Sequence, residues 1–141
     1  IQSTKPQTMG YGLVDSPVAQ ATWIIDKFWQ WTDCRGNLEN VVTRKQLFDN
    51  ISFYWFSRAG ASSARIYWES FNKVLNSNEK VLIPAGLSIF PKEIFRSSER
   101  WARERYKNLV HYNQLSAGGH FAALERPEDF VRELRATFSK I

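Results

Sequence analysis

The segment 107–121, KNLVHYNQLSAGGHF, decides which fold the sequence predicts, because it joins a strand-like run to a glycine-bearing histidine loop. Residues 107–115 predict a short strand, and residues 127–138 downstream predict an amphipathic helix. Gly118 and Gly119 permit backbone angles that other residues resist, and they let another group approach closely. The pattern therefore predicts an α/β protein with His120 in a loop at the exit of a strand, where such proteins place reactive groups.

A carboxylate occupies the equivalent place after the preceding strand. Residues 80–89 predict that strand, and Glu93 follows it in the segment Phe90-Pro91-Lys92-Glu93. An acid after one strand and a histidine after the next is the chain order of the last two members of an α/β-hydrolase triad. In such a pair His120 is a general base that Glu93 orients through the other ring nitrogen. Two alternatives stay open: a loop histidine bound by backbone carbonyls, and a carboxylate that stabilises a helix dipole.

The first 76 residues predict helices without strands. Residues 1–15 are rich in turn-forming residues and predict no regular structure. Helix starts are predicted at Ser16-Pro17, at a capping box from Thr43 to Gln46, and at Ser62 or Ser63. The second of these helices carries aromatic residues around most of its circumference, so we expect little of it to be exposed; they include Phe48, Phe53 and Phe56.

The pattern changes at residue 80. The segment 81–86 predicts a short buried strand, and Pro84 within it is taken to mark the end of that strand. A helix is expected from Ser97 or Ser98 through Arg105, then a strand over 109–112, the histidine loop, and a helix that opens at Pro127. His111 lies inside the second strand, away from any glycine loop, and is interpreted as structural.

Composition narrows the function classes. The 141 residues contain 43% hydrophobic and 23% charged residues, which is typical of a globular chain. The net charge of +5 comes from basic residues interleaved with acids, which indicates solvated helix faces and argues against a nucleic-acid partner. A single cysteine excludes an internal disulfide and suits a reducing, cytoplasmic compartment, although an upstream membrane anchor stays open. Without zinc spacing, a P-loop or a dinucleotide fingerprint, we expect no metal and no cofactor.

Tyr67 is a further candidate, on the third helix within Arg65-Ile66-Tyr67-Trp68-Glu69. Its phenol can donate a hydrogen bond or a proton into a site, and the alternative is a buried tyrosine on a helix face. No G-x-S-x-G or G-x-D-x-G nucleophile elbow follows a strand in this sequence. A base and its orienting acid cannot run covalent catalysis without a nucleophile.

These residues resemble a known family. The chain is similar over essentially all 141 residues to the C-terminal portion of epoxide hydrolases of the α/β-hydrolase fold, most of all the microsomal-type branch and its microbial relatives. The stretches that carry the resemblance are residues 3–8, 15–18, 63–67, 90–93 and 118–123.

The resemblance implies a division of labour. Residues 1–76 would form most of a helical cap, or lid, and residues 77–141 the last two strands of the hydrolase core with their helices. His120 would activate water, Glu93 would orient it, and Tyr67 would bind the epoxide oxygen together with a second tyrosine upstream of Ile1. The aspartate nucleophile would also lie upstream. Candidate substrate contacts are Tyr54, Trp55, Phe90 and Phe121.

The implied partners are a small apolar epoxide and the missing N-terminal half of the hydrolase. Two other functions stay open. One is a non-catalytic interaction or assembly module, because a partial sheet leaves an open edge that favours a homo-oligomer. The other is a different α/β-hydrolase, such as a haloalkane dehalogenase or an esterase.

Overall fold

The computed structural model describes residues 1–141 and divides them into two compact units. The first unit comprises residues 1–28 and 43–77, and the second comprises residues 29–42 and 78–141. The helices are α1 Pro6–Asp15, α2 Pro17–Trp31, α3 Arg44–Phe56, α4 Gly60–Ile66, α5 Asn72–Leu75, α6 Glu99–Arg105, α7 Ala122–Glu125 and α8 Pro127–Phe138, with a 3₁₀ turn at Leu38–Asn40 and a π turn at Tyr67–Phe71. The strands are β1 Ala85–Ile89 and β2 Leu109–Gln114.

The unit boundaries differ in one respect from the single division predicted between residues 76 and 77. The first unit ends at Ser77, but residues 29–42 group with the second unit. That segment contacts the histidine loop through one backbone hydrogen bond, from the N–H of His120 to the carbonyl of Trp31, and through a hydrogen bond from the N–H of Gly118 to the Asp33 side chain. The assignment of residues 1–76 to a lid and 77–141 to a core stays a prediction.

Helix α1 occupies a stretch for which the sequence predicted turns, and that prediction was wrong. A Cβ built on Gly10 would lie 3.2 Å from Cβ of Ala61, and one built on Gly60 would lie 2.9 Å from the carbonyl oxygen of Leu13. The glycines therefore let α1 and α4 approach closely. This packing offsets the roughly 1 kcal/mol that a glycine costs in a helix interior relative to alanine.

Two of the three predicted helix starts in the first unit are confirmed, those at Ser16 and at Thr43. The Ser16 hydroxyl accepts a hydrogen bond from the N–H of Ala19, and Thr43 and Gln46 form the full capping box. The prediction at Ser62 or Ser63 was wrong. Helix α4 begins at Gly60 without a side-chain cap, and both serine hydroxyls donate to carbonyls one turn back.

Helix α3 is less buried than its aromatic content predicted. Only Leu47 and Ile51 are buried along it, whereas Phe48, Phe53 and Phe56 are exposed. Buried Gln20 of α2 reaches this helix and donates from its side-chain amide to the carbonyl of Ile51. The apolar stripe that packs inside the first unit is therefore narrow.

In the second unit, β1 and β2 pair in parallel. The first strand runs from Ala85 to Ile89, so the strand predicted over 81–86 begins after Pro84 and does not end there. Proline has no N–H to donate, and the ladder starts with the N–H of Ala85, which donates to the carbonyl of Asn108 at 2.9 Å. Leu82 and Ile83 are exposed, and only Val81 keeps a bridge, to Tyr106.

Helix α8 forms over the residues predicted to be an amphipathic helix, and it packs on this sheet. Gly86 allows the approach, because a Cβ there would lie 2.2 Å from Oγ1 of Thr137. Ser98 caps α6, and Pro127 opens α8. The short helix α7 was not predicted. None of the helices combines the length and the apolar character that crossing a bilayer requires.

Candidate active site

Glu93 and His120 meet beyond the carboxyl ends of the two parallel strands. Oε1 of Glu93 lies 2.7 Å from Nδ1 of His120. The same oxygen accepts the N–H of Ile94 at 2.7 Å, which fixes the carboxylate. Because an ionised carboxylate only accepts, Nδ1 carries the hydrogen, and in the neutral ring Nε2 is left as the proton acceptor.

Solvent reaches this pair. The side chain of His120 is 38% exposed and that of Glu93 is 27% exposed. A histidine that is held by a carboxylate and still accessible can exchange a proton with water or substrate. The arrangement therefore provides a base and its orienting acid.

Backbone contacts join the loop that carries Glu93, residues 90–93, to the histidine loop. Lys92 donates its N–H to the carbonyl of Gly118 at 3.0 Å and forms a parallel bridge with Gly119. Gly118 has a φ of +105°, in the region that favours glycine, and a Cβ there would lie 2.7 Å from the ring of Phe90. The Gly-Gly pair is therefore needed for both backbone angle and space.

A third segment, residues 31–33, supports the histidine loop. The N–H of His120 donates to the carbonyl of Trp31 at 2.8 Å, and the N–H of Gly118 donates to Oδ2 of Asp33 at 3.2 Å. Glu125 accepts from the N–H groups of Asp33 and Phe121. Neither Asp33 nor Glu125 was among the site residues predicted from the sequence. Local spacing gives no signal for either contact with Asp33.

Aromatic rings surround the imidazole. Trp31 packs edge to face against His120 with ring centroids 5.3 Å apart, and Phe121 does so at 5.2 Å. Trp31 was not among the predicted candidates. Phe90, predicted as a substrate contact, is buried beside Gly118, so its ring supports the loop from within.

The remaining predicted site residues lie in the first unit. Tyr67 is half-buried at the first position of the π turn, and its ring centroid lies 6.1 Å from that of Phe71. Tyr54 and Trp55 are half-buried on α3, and the Tyr54 ring packs at 88° to the ring of Phe53. π turns inside helices are frequent at functional sites. The roles predicted for these three residues stay predictions.

The second histidine belongs to a separate buried network, in agreement with its structural interpretation. Nε2 of His111 lies 2.7 Å from Oε2 of Glu133, which also accepts the hydroxyl of Ser88, while the amide of Asn113 donates to Oε1. Burial raises the pKa of Glu133, but the hydrogen bonds from these three side chains outweigh it and lower the pKa overall. No group of three His, Cys, Asp or Glu side chains is arranged to hold a metal ion.

Comparison with known proteins shows which proteins this chain resembles. No protein-family model matches the chain. A homologue named as an epoxide hydrolase, from Stigmatella aurantiaca (strain DW4/3-1), is 47% identical over 141 residues, which are 100% of this chain and 32% of the homologue. Epoxide hydrolase 1 of Sus scrofa is 37% identical over 145 residues, covering 96% of this chain and 32% of its own. Over essentially its whole length, this chain is similar to the C-terminal portion of proteins named as epoxide hydrolases.

The fold comparison supports the assignment. The crystal structure of juvenile hormone epoxide hydrolase from the silkworm Bombyx mori superposes with a TM-score of 0.90 at 32% identity, over 99% of this chain and 35% of that one. The fold is therefore part of an α/β-hydrolase, as predicted. The chain spans about a third of the length of the curated relatives that it matches.

Proposed function

We propose that this chain is the C-terminal portion of an epoxide hydrolase that converts an epoxide and water to a vicinal diol. The single observation that carries the proposal is the 2.7 Å hydrogen bond between Glu93 and Nδ1 of His120 at the ends of two adjacent parallel strands. Such a pair can activate water but cannot open an epoxide by itself. The nucleophile is an aspartate outside these 141 residues, and the reaction has two steps.

In the first step, the aspartate oxygen bonds to an epoxide carbon and the carbon–oxygen bond of the ring breaks, which leaves an ester and an alkoxide. The phenol of Tyr67, with a second tyrosine outside the chain, hydrogen-bonds the opening oxygen and supplies its proton. Preorganised donors aimed at a developing oxyanion are worth roughly 10²–10³-fold in rate. The half-buried position of Tyr67 in a π turn is compatible with this role.

In the second step, water attacks the ester carbonyl. The water oxygen bonds to the carbonyl carbon while Nε2 of His120 takes its proton, and Glu93 stabilises the imidazolium through Nδ1. The bond from that carbon to the alcohol oxygen then breaks. The alcohol oxygen takes the proton from the imidazolium, which releases the diol and restores the neutral histidine. The proton that remains on the aspartic acid returns to the Tyr67 phenolate through solvent, which restores the ionised aspartate and the phenol.

The substrate class follows from the surroundings of the base. Two aromatic rings, of Trp31 and Phe121, pack against the imidazole, and neither brings a charged group. Apolar walls favour an apolar substrate and exclude bulk water from a reactive ester. We therefore propose a small apolar epoxide such as styrene oxide.

The test uses the full-length protein with His120→Gln and Glu93→Gln, and Glu104→Gln as an exposed carboxylate control. Diol formation from styrene oxide is expected to fall by roughly 10²–10⁴-fold in the His120 variant, the usual contribution of general-base catalysis. The control is expected to match the parent, and the 141 residues alone are expected to be inactive. Undiminished diol formation by His120→Gln contradicts the proposal, and undiminished turnover by Tyr67→Phe removes the role of that phenol.

A further inference from the structure

We propose that Asp33 and Glu125 are positioning residues, which hold the backbone of the histidine loop so that His120 faces Glu93. Oε2 of Glu125 accepts the N–H of Asp33 at 2.8 Å, and its Oε1 accepts the N–H of Phe121 at 3.1 Å. Oδ2 of Asp33 accepts the N–H of Gly118 at 3.2 Å. The inference rests on the proposed function, because it concerns the base of that reaction.

The contacts fix the loop on both sides of the histidine. Gly118, two residues before His120, donates its N–H to the Asp33 side chain. Phe121, directly after His120, donates its N–H to the Glu125 side chain. Between them, His120 donates its own N–H to the carbonyl of Trp31. Three amide donors within four residues are thus directed to one neighbouring segment and one carboxylate.

Residues 115–121 and residues 32–37 lie outside the helices and strands of the fold. β2 ends at Gln114 and α7 begins at Ala122, so no strand or helix contains His120. The opposing segment follows the end of α2 and runs into two residues with positive φ, Arg35 and Gly36. Apart from the bridge between Gly119 and Lys92 and the end of α2 at Trp31, no ladder or helix holds these residues, so the hydrogen bonds of Asp33 and Glu125 carry much of their positioning.

The loop packs closely against Trp31 and Glu125 at Gly119. A Cβ built on Gly119 would lie 2.5 Å from the carbonyl oxygen of Trp31 and 3.1 Å from Oε1 of Glu125. The loop backbone is therefore in direct contact with both groups. A shift of this loop moves His120 relative to Glu93, because Glu93 lies on a different loop.

The expected defect is confined to one step. Ester formation does not use His120, whereas ester hydrolysis needs its Nε2 to take a proton from water. A misplaced imidazole therefore slows hydrolysis alone, and the covalent ester accumulates. A merely structural defect lowers both steps together through loss of folded protein.

The experiment follows a single turnover of styrene oxide by the full-length protein with rapid quenching and intact mass spectrometry. The readouts are the rate at which a covalent adduct of substrate mass appears and the rate at which it disappears. The variants are Glu125→Gln, Glu125→Ala, Asp33→Asn and Asp33→Ala. Glu104→Ala is the matched control, because its carboxylate is 74% exposed on α6 and its ion pair with Lys107 spans 3.8 Å. His120→Gln is the reference for a blocked second step.

The two carboxylates make different predictions. Gln at 125 presents one acceptor to two N–H donors, so adduct decay is expected to slow by roughly ten- to a hundredfold, as for loss of other positioning groups. Adduct formation is expected to stay within about twofold of the parent. Asn at 33 keeps an acceptor for the N–H of Gly118 and should behave like the parent, whereas Asp33→Ala should slow decay.

Several outcomes overturn the inference. One is adduct decay in the Glu125 variants that equals decay in Glu104→Ala, and another is an equal loss of both steps. If Glu125→Ala does not fold, the Asp33 pair decides, and identical decay for its Asn and Ala variants is contrary to the inference. Failure of the proposed function looks different: His120→Gln then shows no adduct and undiminished turnover, which removes this inference as well.

Discussion

Replacing Glu133 with alanine is expected to destabilise the second unit strongly. Its buried carboxylate accepts from Ser88 of β1 and from His111 and Asn113 of β2, so it ties α8 to both strands. Hydrogen bonds to a charged acceptor contribute roughly 1.5–3 kcal/mol each, and three at the lower limit give about 4–5 kcal/mol. Glu133→Gln keeps an acceptor for Asn113 and a donor for the ring of His111, so its expected cost is only about 1–2 kcal/mol.

The pH dependence of the same variants gives the sign of the charge effect. The pKa of Glu133 is lowered from 4.5 in the folded protein, because the three hydrogen bonds outweigh the opposing effect of burial. A lowered folded pKa adds stability above the unfolded pKa, and that stability is lost as the pH falls through the folded pKa. The stability difference between parent and Glu133→Gln should therefore shrink as the pH falls below about 4.5.

The assay is urea unfolding of the full-length protein, followed by near-ultraviolet circular dichroism at a series of pH values. Glu104→Gln is the control, because it removes an exposed carboxylate of the same unit. Two ionisable groups face Glu133: His111, whose Nε2 lies 2.7 Å from Oε2, and Arg132, whose Nε lies 3.9 Å from Oε1. Arg132→Gln measures the share of the second. A cost below about 1 kcal/mol for Glu133→Ala, or a stability difference that does not shrink in acid, would refute the reasoning.

Two further changes test the packing and capping around the site. Gly86→Ala should cost roughly 1–3 kcal/mol, because the new Cβ would lie 2.2 Å from Oγ1 of Thr137, and Thr137→Ala in the same chain should recover part of that loss in urea unfolding. If Thr137→Ala does not reduce the loss of stability caused by Gly86→Ala, a clash with Thr137 is not the cause of that loss. Ser98→Ala should cost about 1 kcal/mol through loss of the α6 cap, with Ser97→Ala nearly neutral in the same assay; equal effects contradict the capping assignment.

The sequence predicted those features whose cause is local. Ser16, Thr43 and Ser98 cap helices within three residues of their own position, and Pro127 fixes the first turn of α8. Such signals depend on neighbours in the chain, so they can be recognised without a structure. The order of strand, acid, strand and histidine also predicts that the acid and the histidine meet, because parallel strands end at the same edge of a sheet.

Two of the failures, the helix α1 and the contacts of Asp33 and Glu125, have causes that are distant in sequence. Gly10 is tolerated in α1 because α4 packs against it, which no local pattern indicates. The carboxylate of Glu125 accepts a hydrogen bond from a residue 92 positions earlier, and Asp33 accepts one from a residue 85 positions later. A carboxylate with such a partner has the same local sequence as a solvated one. The contacts that hold the histidine loop were therefore not predictable from the chain alone.

The two histidine–glutamate pairs show what separates a structural group from a candidate base. Both hydrogen bonds measure 2.7 Å, so their strength does not distinguish them. His111 is 12% exposed, and its Nε2 is hydrogen-bonded to the Glu133 carboxylate, which is 7% exposed. Its Nε2 is therefore not available to accept a proton from water. His120 uses Nδ1 and is 38% exposed, which leaves Nε2 for a proton from water. A base needs one nitrogen held and the other accessible, and the loop that holds His120 at its backbone satisfies both conditions.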